Sequence, residues 1–176
     1  MKIIGITGRA RTGKDTLANF LVEDHGFLKL SFAAPIRAFA SDITGIPVAE
    51  LENGPAKEAP LEWLGGVSPR YIMQTVGTEW GRDMIDRDLW VKVVEQKIRQ
   101  ARRSGAAGVV ISDVRFDNEA EFIRQWGGRV VELARPGTAA VAAHSSEDGI
   151  ETDLIDAWFV NSGAMSELRM YAASLA

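Results

Sequence analysis

The chain has 176 residues, 46% apolar and 25% charged, with a formal charge of −4, two histidines and no cysteine. Size and balance are those of a single globular domain with a proper core. The acidic charge argues against coating nucleic acid, and the missing cysteines exclude disulfides, thiolate zinc sites and cysteine nucleophiles.

The chain opens on Ile3, Ile4, Gly5 and Ile6, read as a strand, and runs directly into Gly8-Arg-Ala-Arg-Thr-Gly-Lys-Asp-Thr16. A strand followed by G-x-x-x-x-G-K is the phosphate loop of nucleoside triphosphate-binding proteins. Glycines let the backbone wrap an anion, Lys14 supplies positive charge, and the following helix offers its N-terminus. Gly8, Arg11, Thr12, Gly13, Lys14, Asp15 and Thr16 are therefore the candidate residues for a donor nucleotide. The place after the lysine, usually a magnesium-binding Ser or Thr, is Asp15, and the hydroxyl follows as Thr16. With no cysteine and only two histidines, any metal is expected to be magnesium brought with the nucleotide.

Leu17, Phe20, Leu21 and Val22 form a helical stripe that Gly26 closes, which makes His25 a helix C-terminal residue. Residues 27–32 fit a second strand, and 33–45 a helix with Pro35 in its first turn and Arg37 just inside. Prolines and glycines make 46–68 a stretch of short helical pieces and loops. Ser68-Pro69 reads as a capped helix start. On a regular helix Arg70, Gln74, Gly77, Thr78 and Arg82 share one broad face.

Residues 89–103 read as an amphipathic helix with a basic end, closed by Ser104-Gly105. The run 109–113 reads as a buried strand ending in Asp113, a carboxylate placed to organise magnesium or its water shell. A helix over 119–126, strands over 129–133 and 157–160, and a helix over 164–175 complete the pattern. Trp63, Trp126 and Trp158 are expected to be core or packing residues. Between the last two strands lies a polar, Ala-rich stretch, 135–153. The alternation predicts a three-layer α/β/α fold with a central five-stranded parallel sheet.

Several ordered motifs resemble the phage-type deoxynucleoside monophosphate kinases, within the broader phosphate-loop kinase group. They are Gly-Lys-Asp-Thr at 13–16, Ser-Phe-Ala-Ala-Pro-Ile-Arg at 31–37, and Pro-Arg-Tyr-Ile-Met-Gln-Thr-Val-Gly-Thr-Glu at 69–79 with Arg82 and Trp90. Asp-Val-Arg-Phe-Asp-Asn-Glu at 113–119, His-Ser-Ser-Glu at 144–147 and Asn161 follow. The resemblance implies one kinase domain over 1–176, with an acceptor-binding helical region at 33–90 and a lid-like loop at 135–155. It implies transfer of the γ-phosphoryl group of ATP, with Mg2+, to a deoxynucleoside monophosphate.

In that scheme Lys14 bridges the donor's terminal phosphates, and Arg135 and Asn161 lie on the donor side. Asp15, Thr16 and Asp113 meet the metal directly or through water. Arg37, Arg70, Arg82 and Arg115 grip the acceptor phosphate, Gln74 reads its base, and Trp90 stacks or walls the pocket. Lys14, Asp15, Arg82, Asp113 and Arg115 carry the catalytic roles. His144 and Glu147 match a motif without a defined role. Neither stable nucleic-acid binding nor a membrane is expected, and the absence of an apolar span or leader points to the cytoplasm, the host's if the chain is phage-encoded. A homodimer stays open, with Tyr71, Ile72 and Met73 read as core or dimer surface.

Two alternatives remain at this stage. One is a phosphate-loop kinase of another phosphorylated metabolite, of phosphomevalonate or dephospho-coenzyme A type; Gln74, a base reader, tilts toward a nucleotide. The other is a nucleotide-dependent switch. Against it, the chain has no Asn-Lys-x-Asp, and Asp113 is followed by Val114, Arg115 and Phe116 with no glycine three residues on.

Overall fold

Strand β1 (Lys2–Thr7) lies at the centre of a parallel sheet in a computed structural model that describes residues 1–137 and 149–176. With β2 (Phe27–Leu30), β3 (Gly108–Ile111), β4 (Arg129–Ala134) and β5 (Ala157–Val160) the order is β2-β3-β1-β4-β5. Gly5 pairs with Ile111 on one side and Val130 on the other, so β1 is hydrogen-bonded along both edges. A strand with no exposed edge and apolar residues on both faces has to be covered twice.

The covering follows from β1's alternation. Ile4 and Ile6 pack on one face with Leu17, Phe20 and Leu21 of α1 (Lys14–His25) and Leu168 and Ala172 of α7 (Met165–Leu175). On the other face Gly5 makes room for α6 (Asp117–Gln125): a Cβ there would sit 2.5 Å from Ile123 Cδ1. The result is the α/β/α layering predicted from the alternation of strands and helices.

Two compact units make up the chain, one of residues 1–31 and 93–176 carrying the sheet, and one of residues 32–92 that is largely helical. The second contains α2 (Ala34–Thr44), α3 (Val48–Asn53), α4 (Pro69–Thr75), a π-helical segment (Val76–Ile85) and the start of α5 (Leu89–Arg103). Ser68 caps α4 by accepting from the Tyr71 N–H at 3.3 Å, with Pro69 at the first helical position, as the sequence predicts.

Two expectations need correction. The helix after Ser68 does not keep α geometry: from Val76 it closes hydrogen bonds five residues apart, so the common face assigned to Arg70, Gln74 and Arg82 from a 3.6-residue period does not carry through to Arg82. Trp90 presses its indole against this backbone, where a Cβ on Gly81 would lie 2.7 Å from the ring, and its N–H donates to Gly77 O at 2.8 Å. Second, Trp63 is 63% and Trp158 56% exposed, so neither is a core residue, whereas Trp126 packs against Phe122. Trp158 stands on β5, an edge strand whose outward positions are uncovered.

Candidate active site

Three left-handed backbone positions shape the loop after β1: Gly8 at φ 126°, Arg11 at φ 65° and Gly13 at φ 103°. Gly8 is sterically required, since a Cβ would stand 2.2 Å from the Leu133 carbonyl oxygen of the neighbouring strand. Thr12, 1% exposed, donates its hydroxyl to Arg9 O at 2.9 Å and so braces the loop from inside. Beneath the loop Asn161, just past β5, donates to Thr12 O at 2.8 Å and accepts from the Gly163 N–H at 3.0 Å. Its amide therefore supports the loop from below, on the side where the donor is expected. Gly13 is part of the same fit, with a Cβ there 2.6 Å from Asn161 Nδ2.

The loop has the geometry expected of an anion site. Helix α1 begins at Gly13 with no side-chain cap, leaving its first amides directed at the loop's mouth. Lys14 donates its ammonium to Gly8 O at 2.7 Å and Arg9 O at 2.8 Å, resting on the same backbone that would enclose a phosphate. A cleft of about 270 Å3 opens beside it, with Gly8, Arg9, Lys14 and Arg115 in its wall. Arg11 and Arg135 are exposed, and the Arg135 guanidinium lies near Gly163.

Asp15 is bracketed rather than loose. Its Oδ1 accepts from Lys29 Nζ of β2 at 2.9 Å and from Ser112 Oγ at 3.0 Å. Burial pushes its carboxyl up, but the bonds from Lys29 and Ser112 and the charges of Lys29 and Lys14 outweigh this and hold it below its ordinary value. Asp113, past the end of β3, accepts from Ser31 Oγ at 2.6 Å. Thr16 is half-buried, and its hydroxyl makes no hydrogen bond among the described residues.

Whether magnesium suits these groups can be judged from their chemistry. They are hard oxygens, two carboxylates and a hydroxyl, and no group of three or more His, Cys, Asp or Glu capable of holding a metal exists among the described residues. Such a set fits an ion that arrives on a nucleotide's phosphates and needs only one or two protein carboxylates.

In the helical unit, two of the three arginines expected on the acceptor side, Arg37 and Arg70, have carboxylate partners. Arg70 engages both oxygens of Glu58, through Nε at 2.6 and 2.8 Å, and holds that carboxyl below its ordinary range. Arg37 meets Glu52 at 3.3 Å, and Arg82 donates to Arg87 O at 3.4 Å. Gln74 is half-buried and its amide makes no hydrogen bond among the described residues. Trp90 is buried, its N–H already committed to Gly77 O. His144 and Glu147 lie outside the described residues, as does most of the lid-like loop.

Lys29, Ser31, Ser112 and Glu119 were not singled out from the sequence. Lys29 had a signal, a lysine inside an otherwise apolar short strand, and Glu119 had another, its place at the end of the motif at 113–119. Ser31 had its place at the head of the motif at 31–37, and Ser112 had none.

An uncapped helix after a strand and a glycine-shaped loop, set on a parallel sheet covered on both faces, defines a phosphate-loop protein of the α/β/α class. Residues 57–171 match the family described as Deoxynucleotide monophosphate kinase. A putative deoxynucleotide monophosphate kinase of Acanthamoeba polyphaga mimivirus is 33% identical over 162 residues, covering 84% of this chain and 81% of that protein. The deoxynucleotide monophosphate kinase of Enterobacteria phage T4 is 24% identical, covering 96% and 95%. Dephospho-CoA kinase from Campylobacter jejuni shares the fold, with a TM-score of 0.53 at 12% identity, covering 99% of this chain and 96% of that one. The chain belongs to the deoxynucleotide monophosphate kinase family.

Proposed function

We propose that this protein transfers the γ-phosphoryl group of ATP to a deoxynucleoside monophosphate, giving a deoxynucleoside diphosphate and ADP. Family membership supports the substrates, and the loop from Gly8 to Thr16, with Lys14 at its mouth and α1 uncapped behind it, is the observation that carries the chemistry.

An acceptor phosphate oxygen forms a bond to the γ-phosphorus while the bond from that phosphorus to the β–γ bridging oxygen breaks, and ADP leaves with the electron pair. The nucleophile is already an anion, so the task is positioning and neutralising charge. The loop amides hold the donor. Lys14 exchanges its two carbonyl partners for phosphate oxygens. Asp15, Thr16 and Asp113 are the residues that would hold magnesium, directly or through water; when bound it neutralises charge on the transferring phosphate. Lys29 and Ser112 keep Asp15 in place, and Ser31 does so for Asp113.

On the acceptor side Arg37, Arg70, Arg82 and Arg115 bind the monophosphate. Those already paired with carboxylates arrive oriented, and phosphate competes with Glu52 and Glu58 for their donors. Gln74 offers an unspent amide to the base. Trp90 contributes from within, as the wall that shapes the π-helical segment. Arg135 serves the donor, and the stretch 135–155, most of it outside the described residues, is assigned the role of keeping water from the transferring phosphate. The location proposed is the cytoplasm, the host's for a phage-encoded chain, which the phage relatives support. A homodimer through exposed Tyr71 is the proposed assembly, open to sedimentation velocity.

The roles separate kinetically. Lys14→Ala should lower kcat by about 100-fold or more, since it removes a charge that acts in the transition state, with folding retained by circular dichroism. Arg82→Ala should act on kcat and on the monophosphate's KM and leave the KM for ATP unchanged. A selective ATP defect would move Arg82 to the donor side, and full activity of Lys14→Ala would end the donor-site assignment.

A further inference from the structure

Glu119 is 2% exposed, a carboxylate buried at the third position of α6. Burying an ionised group is costly unless hydrogen bonds replace its water, and packing alone would be served better by an apolar side chain of the same size. Its Oε2 accepts from the Phe116 N–H at 3.2 Å and so satisfies the amide at the helix's N-cap, where the phenyl ring has no acceptor to return the bond. Capping would end there. The shorter bond, 2.8 Å, goes one residue further, to the Arg115 N–H, outside the helix.

The residue on the other side is tied as well. The Val114 N–H donates to Ile6 O at 3.2 Å, so the turn is fastened to β1 one residue before Arg115 and to α6 at and after it. Arg115 thus combines a backbone fixed on both sides with an exposed side chain beside the phosphate-loop cleft. A long flexible side chain loses less freedom on gripping an anion when its root does not move. In phosphoryl transfer a displacement of about 1 Å can cost about 100-fold in rate.

From these contacts we infer that Glu119 is a positioning residue for phosphoryl transfer, acting through the backbone of Arg115. This rests on the reading of Arg115 as an acceptor-phosphate ligand. It has a built-in control, because a residue that acts only through Arg115 has nothing left to act on once that side chain is gone.

The experiment is a double-mutant cycle on the full chain, with kcat and both KM values normalised to folded protein. Glu119→Ala should lower kcat/KM for the monophosphate about 10- to 100-fold, the loss expected for a charged hydrogen-bond acceptor, and leave the KM for ATP unchanged. Glu119→Gln, which keeps an acceptor oxygen, should recover most of that loss. Combined with Arg115→Ala, the alanine variant should add almost nothing to the effect of Arg115→Ala alone. Effects that multiply, or a loss of thermal stability with unchanged kinetics per folded molecule, would make Glu119 a plain structural residue and overturn the inference while leaving Arg115's role intact. An Arg115→Ala variant with full activity would instead remove the acceptor reading of Arg115, and the inference with it. If Glu119→Ala does not fold, hydrogen exchange on the unmodified protein decides: a slow Arg115 amide agrees, and one exchanging as in an open loop contradicts.

Discussion

Asn161 illustrates how one buried side chain supports the phosphate loop from beneath. Its amide joins the loop carbonyl of Thr12 to the Gly163 N–H, and Gly13 is glycine partly because Asn161 stands where a side chain would go. Removing it leaves a buried carbonyl without its donor, a cost of roughly 1–3 kcal/mol. Asn161→Ala should therefore lower the melting temperature and raise the KM for ATP, with the monophosphate's KM unchanged, as steady-state kinetics with each substrate varied will read. An unchanged KM for ATP would mean that the loop holds its shape unaided. That Asn161 mattered was legible in the sequence; what it touches was not, because nothing in the order of residues says that position 161 lies under position 12.

Among the elements, α1 carries both the anion-facing first turn and the packing that holds it. Its far end is tied to α7: Arg169 engages both oxygens of Asp24, at 2.6 and 2.9 Å, and stacks over Phe20 at 4.8 Å. The hydrogen bond from Arg169 holds the Asp24 carboxyl below 3.8. A carboxyl depressed in the folded state contributes stability above its unfolded value and loses it as pH falls through the folded one. The melting-temperature difference between the natural protein and Asp24→Asn should therefore be small but steady well above pH 3.8 and close below it. A difference that persists in acid would assign the effect to packing. Element positions were largely legible, since Gly26, Ser68-Pro69 and the buried β3 run are local signals. The π-helical segment was not, because nothing local marks it, and its contact with Trp90, whose N–H donates to Gly77 O thirteen residues away, is one that periodicity cannot see.

At the scale of the whole molecule, the sheet-bearing unit holds a complete anion cradle and the helical unit holds arginines already engaged with carboxylates. The shape of the loop and the places of Lys14 and Asp113 at its helix start and past β3 were readable because they are local in sequence. The supports were harder to see, since Lys29, Ser112 and Ser31 act across strands that only the fold brings together. None of the described helices is long and apolar enough to cross a membrane. The central claim is transfer between two nucleotides, and the most direct measurement is product analysis. Purified protein with ATP and Mg2+ is presented in turn with each deoxynucleoside monophosphate, its ribose counterpart, and the phosphorylated metabolites of the rival kinases, and the products are separated by ion-exchange chromatography. The account predicts deoxynucleoside diphosphate formed in equal amount with ADP over many turnovers, with no ADP when the acceptor is omitted. ADP release that is indifferent to any monophosphate, or transfer only to an acceptor other than a nucleoside monophosphate, would contradict it.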